Sequence, residues 1–353
     1  MLSIKSNGYN VEIGMQVFKT IAAFLKNNNY SSYFVICDEN TFQYCLPQLI
    51  TNCIKLRDAH IIEIESGEAS KSIEISAHIW QTLIENKADK NSLVINLGGG
   101  VVSDLGGFCA STYKRGIDFI NIPTTLLSMA DASVGGKTGI DFAGLKNSIG
   151  TFTQPKAVFI NPHFLETLPK RHYDNGLAEI YKIALIADKK FWTELKTSNP
   201  ENNIKLILSK SVALKNKIVL KDPFDKGIRK ILNFGHTIGH AVESLLLGTK
   251  EELLHGEAIV IGMLTESHLA FQKKLLSKTE LSEITLVFKE VFELEKINTI
   301  NFNSLLELMR NDKKTLKNKF QFSLLDKIGA CKYDIEVTET QLKKAIDFYN
   351  TSV

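Results

Sequence analysis

Five short runs rich in β-branched and aromatic residues set the rhythm of the chain up to about residue 172: "YFVICD", "HIIEIE", "SLVINL", "IDFINI" and "AVFIN". Each is strand-sized, and several are separated by segments with helical length and period, such as "KSIEISAHIWQTLIENK". That alternation demands βαβ units, hence a mostly parallel sheet with helical crossovers. The opening "LSIKSNGYNVEI" carries Asn-Gly between short alternating arms and predicts a hairpin beside the sheet. After Tyr173 the period changes. "NNIKLILSKSVALKNKIVLKD" and "LSEITLVFKEVFELEK" space apolar residues three and four apart, as amphipathic helices do, and "FQFSLL" reads as a late strand. The fold class is therefore α/β with a mostly parallel sheet, followed by a mainly α-helical C-terminal domain. With 353 residues there is enough chain for two cores. The expected domains are 1–172 and 173–353, with "LPKRHYDNG" as the seam.

Several function classes are excluded on composition. A formal net charge of +3, with lysines spread along the chain, argues against a nucleic-acid or membrane partner but leaves room for a local anionic ligand. No apolar stretch approaches a membrane span, and "MLSIKSNGYNVEIG" has no signal-peptide core. The five cysteines form no C-x-x-C pair, which suits free thiols in a reducing cytoplasm.

Glycines gather where strands end. In "SLVINLGGGVVSDLGGF", Gly98 to Gly100 close a strand and open a helix, a place where free amides attract phosphate or where a tight turn is simply needed. The spacing is not G-x-G-x-x-G, since Ser103 stands where a glycine is required. "SVGGKTGID" imitates the end of a P-loop, but Asp131 occupies the position of its first glycine. "SGEASK", ending at Lys71, follows another strand. Several such loops at the carboxyl edge of one sheet point to a dinucleotide.

Three of the eight histidines lie in "ILNFGHTIGHAVESLLLGTKEELLHGEAIV". His236 and His240 share a helical face and could hold one metal or pack as a hydrogen-bonded helix contact; His255 lies beyond a turn near Gly248. Glu179, in the apolar helix "GLAEIYK", needs a buried partner, either a metal or Lys182 three residues on. Two imidazoles and a carboxylate would leave an open coordination position, the mark of a catalytic zinc. Spacing leaves open which two histidines bind.

The ordered set "SGEASK", "NLGGGVVSDLGGFCASTYKRG", "IPTTLLSMADASVGGKTGID", "LKNSIGTFTQP", "GLAEIYK", "KILNFGHTIGHAVE" and "LHGEA" closely resembles the 3-dehydroquinate synthase family, from about Asp38 to "NDKK". The resemblance implies a Rossmann-like NAD domain, a helical domain, a zinc site (cobalt being an alternative occupant) and usually a homodimer. Implied metal ligands are Glu179, His236 and His255. Implied cofactor residues are Asp38, Asn40, Glu68, Lys71, Gly100, Val101, Val102, Asp104, Thr124, Thr125, Lys137 and Lys146, with Phe164, Leu165, Glu166 and Thr167 closing the site. Implied substrate residues are Asp131, Lys137, Asn147, Lys182, Lys215, Arg229, Asn233 and one or both of Lys313 and Lys314; Arg115 reaches the neighbouring subunit. His240 is carried over as a proton-transfer residue with Asp225, where the family ordinarily has glutamate. "DFAGLKN" and His172 are further departures from the family pattern.

The implied substrate is a small anionic sugar acid, 3-deoxy-D-arabino-heptulosonate 7-phosphate. Arg229 and Lys215 suit its carboxylate, while Lys137, Asn147 and His240 suit its phosphate. The implied NAD cycle is closed, with oxidation, phosphate elimination, reduction and ring closure in one site. Rival readings are another sugar-phosphate cyclase, such as 2-deoxy-scyllo-inosose synthase, a metal-dependent NAD alcohol dehydrogenase, and a non-catalytic dinucleotide sensor.

Overall fold

The computed structural model describes residues 1–143, 145–297, 300–312 and 320–353. They divide into two compact units, Met1–Tyr173 with Ile204–Asn216, and Asp174–Asn203 with Lys217–Val353.

In the first unit the strands in chain order are β1 (Leu2–Lys5), β2 (Asn10–Ile13), β3 (Tyr33–Asp38), β4 (His60–Ile64), β5 (Leu93–Gly98), β6 (Asp118–Pro123), β7 (Lys137–Phe142), β8 (Leu145–Phe152) and β9 (Val158–Ile160). Seven of them form one sheet in the order β1-β2-β9-β6-β5-β3-β4. Every pairing is parallel except that of β1 with β2, the hairpin foreseen at Asn7-Gly8. All six residues of β5 are buried, which is why a central strand covered on both faces reads as an apolar run, broken here by Asn96 alone. Edge strand β4 instead alternates towards its end.

Helix Gly100–Thr112 starts two residues beyond β5 and packs closely beside it. A Cβ on Gly106 would overlap the Asn96 side chain, whose amide donates to Asn121 Oδ1 at 2.9 Å inside the sheet. Small residues on this helix therefore set the depth at which its N-terminus meets the strand ends.

The separate antiparallel ribbon β7–β8 was not legible as strands. Gly139 and Gly150 face each other across it, and a Cβ on Gly139 would lie 2.8 Å from the Ile149 carbonyl oxygen. Glycine weakens strand propensity, so the pattern there reads as a loop. Another feature absent from the sequence reading is the membership of residues 204–216 in this unit, where Asn216 Nδ2 donates to the Lys5 carbonyl at 2.8 Å.

The second unit is mainly helical. Helix Lys170–Ala187 is buried continuously from Asn175 to Ile186, so it forms a core rather than a surface element. The transition at Tyr173/Asp174 falls inside this helix and not in a linker. Tyr181 sits edge-on to Trp192, Phe288 and Phe292, with centroid separations of 5.9, 6.0 and 5.7 Å. The amphipathic stretch expected to reach Lys296 stops at Val291, where Phe292 turns extended. "FQFSLL" lies in the strand Phe320–Lys327, paired antiparallel with Ala330–Val337.

Helices His236–Leu246 and His255–Gln272 approach each other through glycine. A Cβ on Gly262 would overlap the Gly235 carbonyl oxygen, and one on Gly239 would lie 2.9 Å from that of Ala258. Glu266, fully buried on the second helix, accepts from Gly235 N at 2.7 Å and Ile238 N at 3.3 Å. Its carboxylate satisfies amides at the start of the first helix, where negative charge is favoured.

Candidate functional site

This glycine contact places His236 and His240 of one helix against His255 of the next. Their ligand atoms all lie within 4.8 Å of one another, and the ring centroids are 5.1, 5.4 and 5.5 Å apart. Helix Lys170–Ala187 adds Glu179, which is 1% exposed. Its Oε1 lies 3.5 Å from His236 Nε2 and 3.6 Å from His255 Nε2. Those gaps are long for hydrogen bonds. Ligands about 2.0–2.1 Å from a tetrahedral zinc lie roughly 3.3 Å from each other, so the separations suit atoms facing a shared ion.

The groups facing the two Nδ1 atoms fit that arrangement. His236 Nδ1 lies 3.1 Å from the Phe234 carbonyl oxygen, and His255 Nδ1 lies 3.4 Å from Glu243 Oε2. With each Nδ1–H donated outward, both Nε2 lone pairs face Glu179. Glu179 Oε1 is buried with no hydrogen-bond donor among the described residues. These residues fit a divalent metal.

Charge within the cluster is tightly coupled. Burial would push the Glu179 carboxyl up, but the Lys182 ammonium, in direct contact with Oε2, and His255 outweigh it and hold it down. Burial would likewise push His255 down, yet Glu179 and Glu243 raise it. His236 falls well below the usual histidine range because it is desolvated and faces Lys182 and the other imidazoles. A neutral His236 beside an ionised Glu179 is a donor set ready for a cation.

In the same unit, Asp222 organises the loop that follows helix Ile204–Lys221. Its carboxylate accepts from the amides of Lys226 (3.0 Å), Gly227 (2.6 Å) and Arg229 (3.1 Å), and these bonds hold it below the usual carboxylate range. Arg229 is 3% exposed and donates to the Pro223 carbonyl at 2.8 Å. Asp225 sits half-buried in this loop with φ 57°, and Asn233 ends the turn Ile228–Asn233.

In the first unit, the carboxyl edge of the sheet carries the other set. Gly99 begins helix Gly100–Thr112 without a side-chain cap, leaving its first amides for a ligand. Val102 packs on Gly98, and Val101 and Gly100 remain partly open. Thr124 follows β6, and its buried hydroxyl has no partner among the described residues. The Thr125 hydroxyl caps the next turn by accepting from Ser128 N at 3.2 Å. Asp38 at the end of β3 accepts from Thr41 N at 2.8 Å and starts a helix on which Asn40 is exposed. The uncapped amides and orphan hydroxyl fit a dinucleotide phosphate.

Lys71, 3% exposed, binds Asp104 Oδ2 at 3.0 Å, Asn147 Oδ1 at 2.5 Å and Glu68 Oε1 at 3.4 Å. Burial would lower the Lys71 ammonium, but Asp104 and Glu68 hold it well above the usual lysine range. Asp104 itself is raised, because its desolvation exceeds the help from Lys71. Lys71→Met would strand this carboxylate and is expected to destabilise the protein by about 3 kcal/mol. Urea unfolding measures it; an unchanged midpoint would show that Asp104 does not depend on the ammonium.

Asp131 and Lys215 also meet within this unit, with Nζ 2.8 Å from Oδ1 and 2.5 Å from the Asp131 carbonyl oxygen. Lys215 is 5% exposed, so its ammonium is a buried, oriented charge against a partly exposed Asp131.

Residues 61–175 match the family model for the 3-dehydroquinate synthase N-terminal region, and residues 176–315 match that for its C-terminal region. The chain belongs to the 3-dehydroquinate synthase family. A 3-dehydroquinate synthase of Parabacteroides distasonis is 39% identical over 334 residues, covering 93% of this chain and 94% of its own. That of Streptococcus pyogenes serotype M3 is 36% identical over 345 residues and 96% of each chain. The chain is thus similar to enzymes of this activity over nearly its full length.

Solved structures agree on the fold. A 2-deoxy-scyllo-inosose synthase complexed with carbaglucose-6-phosphate, NAD+ and Co2+ matches with a TM-score of 0.87 at 22% identity, over 98% of this chain and 99% of its own. A 2-epi-5-epi-valiolone synthase from Streptomyces hygroscopicus with NAD+ and Zn2+ bound also gives 0.87, at 26% identity over 100% and 99%.

Of the residues that 3-dehydroquinate synthase motifs single out, Lys137 and Asn147 are exposed on the ribbon, Lys146 is partly buried there, and Arg115 is exposed with φ 68°. Phe164 is buried and Leu165 partly so, while Glu166 and Thr167 are exposed, in the turn Pro162–Thr167; Glu166 binds His163 at 2.7 Å. Lys313 and Lys314 lie outside the described residues. The sequence reading missed Glu243, Glu266 and Asn175, whose Oδ1 accepts from Gly256 N. Glu243 had a signal, being seven residues from His236 and so on the same helical face.

Proposed function

We propose that the chain converts 3-deoxy-D-arabino-heptulosonate 7-phosphate to 3-dehydroquinate and phosphate, with one recycled NAD+ and one divalent metal, zinc before cobalt. When bound, NAD+ supplies reversible hydride acceptance and the metal acidifies substrate hydroxyls. The carrying observation is the facing of Glu179 Oε1 by His236 Nε2 and His255 Nε2 at 3.5 and 3.6 Å, in a chain of this family. Glu179, His236 and His255 would hold the metal. Buried Arg229, its backbone fixed by Asp222, is preset for a planar carboxylate. The first unit's uncapped helix and Lys71–Asp104 pair suit the dinucleotide.

His240, within the imidazole cluster, and Asp225 are the proton-transfer pair of this reading. Asp225→Asn keeps the shape and removes the base, so kcat should fall roughly a hundredfold with KM little changed. Unaltered turnover would remove Asp225 from the mechanism.

A cytoplasmic homodimer completes the proposal. No helix among the described residues is long and apolar enough to cross a membrane. The β7–β8 ribbon exposes Phe142, Leu145, Ile149 and Phe152 at 50, 53, 37 and 50%, apolar surface suited to a second copy. Ser111 ties the ribbon to the helix preceding Arg115 through Thr151, at 2.8 Å. Light scattering on the eluting protein should give twice the chain mass, and a monomer would overturn the dimer.

The reaction is tested by supplying substrate, catalytic NAD+ and zinc and following phosphate and 3-dehydroquinate together. Equal release without accumulating NADH is expected. Accumulating NADH would indicate a dehydrogenase, and phosphate release only from glucose 6-phosphate would indicate another cyclase.

A further inference from the structure

Glu243 has no place in the ligand, substrate or cofactor sets above, yet it is 5% exposed and lies beside the imidazole cluster. His236, His240 and Glu243 occupy positions i, i+4 and i+7 of one helix, hence one face. Glu243 Oε2 is 3.4 Å from His255 Nδ1, while the other ring nitrogen is 3.6 Å from Glu179 Oε1. His255 therefore spans two buried carboxylates, one at each nitrogen.

His236 is held differently. Its Nδ1 meets the neutral carbonyl of Phe234, two residues away on its own chain, so its ring is oriented by local backbone. Among the described residues His255 has no such local device. It is the first residue of helix His255–Gln272, where no preceding helical turn braces the side chain. The next residue's amide is pinned by Asn175 Oδ1, from the helix that carries Glu179. That fixes the backbone but leaves the ring free to rotate about its own side-chain bonds. Glu243 supplies the missing constraint from a third direction.

We propose that Glu243 is a positioning residue of the metal centre: it accepts the Nδ1–H of His255, selects the tautomer with Nε2 free, and strengthens that nitrogen as a donor. The inference rests on His255 being a metal ligand. A carboxylate does more than a carbonyl in this place because it carries a charge that polarises the ring, even at 3.4 Å against the 3.1 Å of the His236 contact. The centre then has one imidazole held by a neutral acceptor and one by a charged acceptor. Glu243 belongs to the same helix as His236, so the two histidine ligands are held in register by a single element.

The test is zinc binding by metal-free protein, read by competition with a chromophoric chelator, for wild type, Glu243→Gln, Glu243→Ala and His255→Ala. Glu243→Ala should weaken zinc binding about 10- to 100-fold. Glu243→Gln retains an accepting oxygen without the charge and should lose less, recovering part of the affinity. With Co2+ in place of zinc, the visible absorption of Glu243→Ala should change, while circular dichroism reports the same folded helix content as wild type. Equal zinc affinity in Glu243→Ala and wild type would overturn the positioning role. So would a loss that Gln does not relieve at all and that follows the fraction of unfolded protein. Wild-type affinity in His255→Ala would instead overturn the ligand assignment beneath the proposal.

Discussion

Glu179→Gln is expected to strip the protein of its metal and lower kcat by roughly a thousandfold or more, since a bound divalent ion supplies several kcal/mol of charge stabilisation and each 1.4 kcal/mol or so is tenfold in rate. Stability should fall as well. Lys182 is 1% exposed and its ammonium touches the Glu179 carboxylate, so the amide would leave a buried cation without its counter-charge. Breaking a buried pair in this way costs about 3–5 kcal/mol. The two effects separate in a double-mutant cycle. Adding Lys182→Met should restore most of the unfolding free energy, because an uncharged pair of similar size replaces a broken one, while zinc remains unbound. Metal content by elemental analysis and urea unfolding together give the result. Full zinc occupancy in Glu179→Gln would sink the carboxylate-ligand assignment and transfer the ion to His236, His240 and His255, which lie close enough to hold it among themselves.

That alternative shows how far spacing alone could go. A helical wheel puts His236 and His240 on one face, and the structure does bring them together, at a centroid separation of 5.1 Å. What the wheel cannot give is the direction of each ring, which depends on Phe234 O and Glu243, nor the arrival of His255, which depends on a contact between two other helical faces. Glu179 was more legible. A carboxylate in an apolar helix must find a partner, read from the sequence as either a metal or Lys182; Lys182 is in contact with it, and two imidazole nitrogens lie 3.5 and 3.6 Å away.

The same division holds for the fold. Strands β3, β5 and β6 were readable because burial on both faces leaves mainly apolar side chains in sequence, with Asn96 and Asn121 satisfying each other inside the sheet. The β7–β8 ribbon was not, because its strands carry glycine at facing positions and expose Phe142, Leu145 and Phe152, which breaks the alternation expected of a half-buried strand. Lys71 was found as a strand-end lysine, but its role as the buried counter-charge of Asp104 needed the distance of 3.0 Å between residues 33 apart in the chain. Local pattern identifies elements and odd residues; tertiary contact decides what they hold.

Gly262 is where tertiary contact and the proposed metal centre depend on one missing methyl group. A Cβ there would overlap the carbonyl oxygen of Gly235 and stand 2.9 Å from the Gly239 amide nitrogen. Gly235 cannot easily yield, because its amide is bound to buried Glu266 at 2.7 Å and its φ of 81° suits glycine. The helices themselves must therefore separate in Gly262→Ala. Overpacking of this kind costs typically 1–3 kcal/mol, and backbone against backbone places this site at about 3 kcal/mol. Separation also draws His255 away from His236 and His240, so zinc affinity should fall along with stability. Gly248→Ala provides the contrast. Gly248 has φ 74° but nothing within 4 Å of a Cβ, so that variant should cost only about 1 kcal/mol of backbone strain and leave zinc binding intact. Urea unfolding and zinc titration of both variants check the argument. If Gly262→Ala matched Gly248→Ala in zinc affinity, the close helix approach would not be what assembles the three imidazoles.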